Sequence, residues 1–129
     1  MPASTAVVNT GRAIITSRLI GTTTGVPHHV AWGTGSTGVA LTDTTLTEPG
    51  EARTLGTGTQ TTTTTTSDTL NVVGTVVATG TRTIAEAGLF TAATGGTLFV
   101  RGVLASTISV TSGDSVAFTF NVQITSAVV

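Results

Sequence analysis

Glu86 stands alone among apolar neighbours in Ile84-Ala-Glu-Ala-Gly-Leu-Phe90. A carboxylate in that setting is either a general base or one half of a buried ion pair, because an unpartnered buried charge is costly. Arg82 lies along the same segment, and Arg101 lies across a hairpin that Gly95-Gly96 would close. Both are candidate partners, and Arg101 is the preferred one. No histidine is near Glu86 in sequence, and no second acid has the spacing of a glycoside-cleaving pair. The expectation is a structural ion pair, Glu86 with Arg101. The six acids are Asp43, Glu48, Glu51, Asp68, Glu86 and Asp114, and four of them sit in turn-like or loop-like surroundings.

His28 and His29 are the only imidazoles. Adjacent residues of an extended segment point to opposite faces, so the two do not share one metal ion. Gly33-Thr-Gly35-Ser-Thr-Gly38 has the glycine spacing that brings backbone close to a pyrophosphate at a helix N-terminus. The residues after it are Thr-rich and reach Pro49 with no room for a crossover helix and a second parallel strand. The motif is therefore read as a glycine-rich loop after a strand. The chain has no Cys and no Lys, and neither G-x-S-x-G nor H-E-x-x-H occurs. No catalytic residue, cofactor, metal or small-molecule substrate is expected.

The elements that position these residues follow from composition. The 129 residues suit one domain with one core. Hydrophobic residues make up 39% and the mean hydropathy is +0.41, against the composition of a disordered chain. Charged residues are 9% with a net charge of -1, so no basic surface for nucleic acid is present. No apolar run is long enough to span a bilayer, and the start of the chain lacks the basic and apolar regions of a secretory signal. Thr alone is roughly a quarter of the chain, and Val and Gly together supply another quarter. β-Branched residues suit pleated surfaces and Gly suits turns, which makes this an all-β inventory.

Ser115 to Thr125 is the clearest strand: Val116, Phe118, Phe120, Val122 and Ile124 alternate with polar or small residues. It is expected at or near the centre of a sheet. Thr111-Ser-Gly-Asp114 is a turn before it, and Ser106 to Val110 a short strand leading in. Thr97 to Leu104 and Thr83 to Ala92 form a hairpin through Ala93-Thr-Gly-Gly96, and Thr69 to Thr79 is a further strand. The unbroken Thr61 to Thr66 run is read as an exposed edge or ribbon strand. In the N-terminal half, Arg12 to Ile20 reads as a strand and Val26 to Trp32 as another, interrupted by Pro27. Thr42 to Pro49 fits one capped helical turn. Residues 1–12 read as an extended arm, with 13–129 as the single domain. The predicted core is Val72, Val76, Leu89, Leu98, Val100, Leu104, Val116, Phe118, Phe120, Val122 and Ile124.

Two blocks carry a resemblance. The first is Ala31-Trp-Gly-Thr-Gly35 with Thr42-Asp-Thr-Thr-Leu46, Glu48 and Arg53; the second is Ile84-Ala-Glu-Ala-Gly-Leu-Phe90 with Thr94-Gly-Gly-Thr-Leu98 and Ser112-Gly-Asp114. Together they resemble small β-rich virion proteins of tailed bacteriophages. The resemblance implies an antiparallel β-sandwich or jelly-roll-like barrel carried in the particle, with no catalytic residues. The chain's brevity favours a capsid decoration, or cement, protein that binds the major capsid protein from outside the head; a tail-fibre or tail-tip component is the alternative. Such proteins imply a homotrimer assembled in the host cytoplasm. The expected partner contacts are the apolar Ala6, Val7 and Val8 of the arm and Trp32, an aromatic before the glycine loop.

Overall fold

The computed structural model describes residues 3–22 and 25–128. Strands β1 (Ser4–Val7), β2 (His29–Gly33), β3 (Thr54–Leu55), β6 (Arg82–Phe90) and β7 (Leu98–Val110) form one sheet in the order β1-β7-β6-β2-β3. Strands β4 (Thr57–Thr61), β5 (Thr69–Val77) and β8 (Ser115–Gln123) form a second, in the order β4-β5-β8. Every pairing is antiparallel. One helix, α1 (Asn9–Leu19), lies against β7. The fold is all-β and sandwich-like, as the composition predicts.

The inner faces of the two sheets meet in a core that includes Val30, Trp32, Val72, Val76, Ile84, Leu89, Phe118 and Phe120. Of the predicted core, Leu104 and Val116 are only half-buried, and Ile124 is 60% exposed because β8 ends at Gln123. A second cluster, Val8, Ala31, Leu46, Phe90 and Leu98, sits apart from this core. β6 is buried without interruption from Ile84 to Phe90, so both faces of this central strand are covered. A register shift between Ile84 and Glu86 lets Ile84, Ala87 and Leu89 all serve the inner core while Glu86 stays off it.

Several expectations change. Residues 3–12 are not a free arm: β1 pairs with β7, and the 12/13 boundary falls inside α1, while residues 1 and 2 lie outside the described ones. Arg12 to Ile20 is helix rather than strand. Its buried positions, Gly11 and Ile14 with Ile15 half-buried, recur at helical spacing, and tertiary packing overrides the β-branched composition. Thr42 to Pro49 forms no helical turn; Leu46 is drawn into the second cluster and Thr47 into hydrogen bonds with Glu86 and Thr34. Ser106 to Val110 is no separate strand but the end of the long β7. β8 is an edge strand, not a central one: its alternation shows that one face is buried and carries no information about lateral neighbours.

Candidate functional site

The chain's strongest concentration of charge is built around Glu86. Its register partners place Gly33 of β2 on one side and Val103 of β7 on the other, with Gly88 opposite Arg101. Arg101 therefore sits one diagonal step from Glu86 on the same face, and its Nε donates to Glu86 Oε1 at 2.8 Å. The side chains are 1% and 5% exposed, so this is a buried pair. The flanking residues on neighbouring strands are Gly88 and Ala6, small enough to leave room for the guanidinium.

The glycine motif belongs to the same site. Gly35 N–H and Thr47 N–H donate to Glu86 Oε2 at 2.9 and 2.8 Å. A methyl group at Gly33 or Gly35 would run into that carboxylate, so the glycines permit the loop to close over it. The spacing that resembles a phosphate cradle thus holds an internal anion. Arg101 completes the closure from below: its Nη1 donates to Asp43 Oδ2 at 2.9 Å and its Nη2 to Thr37 O at 2.8 Å. Burial opposes the charge of Arg101, and the hydrogen bonds and charges of Glu86 and Asp43 outweigh it, leaving its pKa raised. All of these bonds join residues 34–47 to the sheet. The arrangement fixes a loop, and both Glu86 oxygens are engaged in doing so.

The other acids are similarly engaged. Arg53 makes a two-point pair with Glu48, at 3.1 and 2.7 Å, donates to Ala92 O and Gly95 O, and stacks over the Phe90 ring at 3.6 Å. Arg82, the alternative partner for Glu86, pairs with Glu51 at 3.1 Å. Burial opposes the Glu51 charge, but the N–H groups of Thr79 and of Glu51 itself, the Trp32 indole and Arg82 together lower its pKa. The buried Trp32 Nε1 has no hydrogen-bond partner among the described residues. Asp68 gathers the N–H groups of Thr63, Thr64 and Thr65 and the side chains of Thr69 and Gln123. The Thr65 and Thr63 amides lead in holding its carboxyl far below the usual range. Thr61 ends β4, and the rest of the Thr run is this turn, closed by Ser67 at φ 60°. Asp114 accepts from Thr111 in the turn before β8.

The expected partner contacts are placed differently. Trp32 is 2% exposed and belongs to the main core, so it is not a surface anchor. Ala6 and Val7 are half-buried in β1, and Val8 is fully buried in the second cluster. His28 lies over Gly58 with its pKa lowered by burial, then by His29 and Arg18, whereas the buried Nδ1 of His29 has no partner among the described residues. Among the described residues no group of three or more His, Cys, Asp or Glu could hold a metal ion, and no helix is long and apolar enough to cross a membrane.

The surface feature that sequence reasoning missed is an apolar groove of about 310 Å³ beside α1, lined by Ile14, Ile15, Leu19, Leu70, Phe99 and Ile124. Leu19 and the adjacent Ile20 are 80% and 81% exposed. A strand reading of Arg12 to Ile20 scatters these residues over two faces; a helical reading collects them.

No family profile, no curated protein and no solved structure matches this chain.

Proposed function

We propose that this chain is a structural protein of a tailed-bacteriophage virion, a decoration protein that binds the outside of the head and stabilises the capsomer lattice. The observation that supports a binding role over a catalytic one is the use of the carboxylates. All six accept hydrogen bonds from this chain's own loops, turns or arginines, and the Glu86 centre is a staple inside the domain. Such a chain presents a shaped, nearly uncharged surface to other proteins. The head contact is assigned to the groove beside α1, lined by the exposed Leu19, together with the adjacent exposed Ile20, in place of residues 6–8 and Trp32. The phage reading itself rests on the resemblance of the two sequence blocks. A tail-fibre or tail-tip role is the competing reading; the homotrimer that the resemblance implies is the alternative to the two-chain exchange inferred below.

Add-back to heads lacking this protein tests the proposal. Saturable binding to heads, with a higher rupture temperature of the bound particles, is the expected result. Binding to isolated tails with none to heads would replace it with the tail reading.

A further inference from the structure

Among the described residues, β8 is hydrogen-bonded to β5 alone of the strands. Ile124 N–H bonds Asp68 O and Ala78 N–H bonds Asp114 O, at the two ends of the β5–β8 register. These bonds put the even-numbered residues of β8 in the hydrogen-bonded pairs with β5. Ala117, Thr119, Asn121 and Gln123 therefore turn their backbone N–H and C=O outward. The usual protections of such an edge are missing: Ser115–Gln123 contains no Pro and no charge, and its pairing with β5 runs without a bulge.

Beside this edge the sandwich is open. On the opposite side the chain passes between the sheets at Gly56, from β3 into β4. On the β8 side the larger sheet continues to β1, and a cleft of about 360 Å³ remains, lined by Thr5, Val100, Gly102, Phe118, Phe120 and Val122. The cleft runs beside β8, with Thr119 and Asn121 also in its wall.

The segment after β8 has matching chemistry. Residues 124–128, Ile-Thr-Ser-Ala-Val, carry no charge, belong to no element and are exposed throughout. Ile124 is 60% exposed and Val128 fully so. Both share the parity of Val116, Phe118, Phe120 and Val122, the inward face of β8. The segment does not fold back on its own β8, because a hairpin at Gln123 needs turn residues and Ile124-Thr-Ser supplies no Gly, Asn or Asp.

We infer that two copies of this chain exchange residues 124–128, each segment adding antiparallel to the free edge of the other copy's β8 about a two-fold axis at Gln123. In that register Ile124 lies opposite Val122, Thr125 opposite Asn121, Ser126 opposite Phe120, Ala127 opposite Thr119 and Val128 opposite Phe118. The outward backbone groups of Thr119 and Asn121 meet those of Ala127 and Thr125, and Ile124 and Val128 enter the cleft with the small Ser126 beside Phe120. Neither strand brings a charge to repel the other. This is strand addition with a second copy as the donor; it shares Ile124 with the groove beside α1 but does not rest on the capsid reading.

The chain has no Cys, so introduced thiols report single contacts. Directly opposed residues in a hydrogen-bonded antiparallel pair have Cα atoms about 5.5 Å apart, within disulfide reach. Gln123→Cys, on the axis, should cross-link to itself under mild oxidation, and a mixture of Asn121→Cys and Thr125→Cys should give a mixed disulfide. Thr75→Cys, exposed on β5, is the control and should not cross-link. Native mass should give two chains, and Val128→Asp, at a residue that supports nothing within its own copy, should return the mass to one chain with unchanged circular dichroism. The inference is overturned if the wild-type mass is one or three chains, if Val128→Asp leaves the two-chain mass intact, or if the two thiol pairs cross-link no better than Thr75→Cys. Each of those failures leaves head binding standing, and a protein found only on tails leaves the exchange standing.

Discussion

At Glu86 the two carboxylate oxygens hold different parts of the chain: Oε1 takes the Arg101 guanidinium, and Oε2 takes the amides of Gly35 and Thr47. Removing the acid strands a buried guanidinium and two amides, so Glu86→Ala should cost about 3–5 kcal/mol in urea unfolding. Glu86→Gln should also destabilise, since its NH₂ group must face either Arg101 or the two amides. A loss under about 1 kcal/mol would mean that water replaces the acid and the pair is peripheral. The pairing itself was legible from the sequence because so few ionisable groups compete. Asp43, Thr47 and the two glycines were not, since a loop that wraps a carboxylate has no periodicity. The pH dependence comes from the lowered pKa values. Asp68 and Glu51 hold protons less readily folded than unfolded, so their contribution is complete above about pH 4 and is lost as pH falls through their folded values. His28 is a base with a lowered pKa, so its contribution is complete above about pH 6.5 and declines below it. Unfolding followed against pH should therefore show a shallow upper decline and a steeper acid one, and His28→Gln should flatten the upper step alone.

At the scale of elements, α1 is the part least visible in sequence. Its Ile14-Ile15-Thr16 favours a strand by propensity, and the decisive feature is Gly11, where an added Cβ would meet the carbonyl oxygen of Phe99. Two effects oppose each other in Gly11→Ala. Helix propensity favours Ala by about 1 kcal/mol, and forcing the helix off β7 costs about 1–3 kcal/mol. Because the clash is with backbone, the cost should win: Gly11→Ala is expected to lower stability while helix content persists. A more stable Gly11→Ala protein would show that α1 docks loosely. β5 through β8 were legible because their apolar residues alternate or are closed by glycine turns, such as Gly95 and Gly96 at φ 62° and 69°. What alternation does not encode is lateral order, which is why β8 reads as central and lies at the edge.

At the scale of the whole molecule, the chain is a nearly uncharged β-domain whose acids hold its own loops and whose two most exposed isoleucine and leucine side chains, Ile20 and Leu19, stand at the end of α1. Leu19→Asp with Ile20→Asp should leave unfolding free energy within about 0.5 kcal/mol, as for surface changes that touch no buried feature. The same change should lower occupancy on heads by tenfold or more, since about 1.4 kcal/mol of lost contact is a factor of ten. Equal occupancy of variant and wild type would move the head contact elsewhere on the surface. The most direct test of the decoration role is a count of this protein's copies in purified particles, by quantitative mass spectrometry against the major capsid protein. A lattice protein repeats with the capsomers, so on the order of hundreds of copies are expected, lost with the heads when heads and tails are separated. A handful of copies that travel with the tails would contradict it.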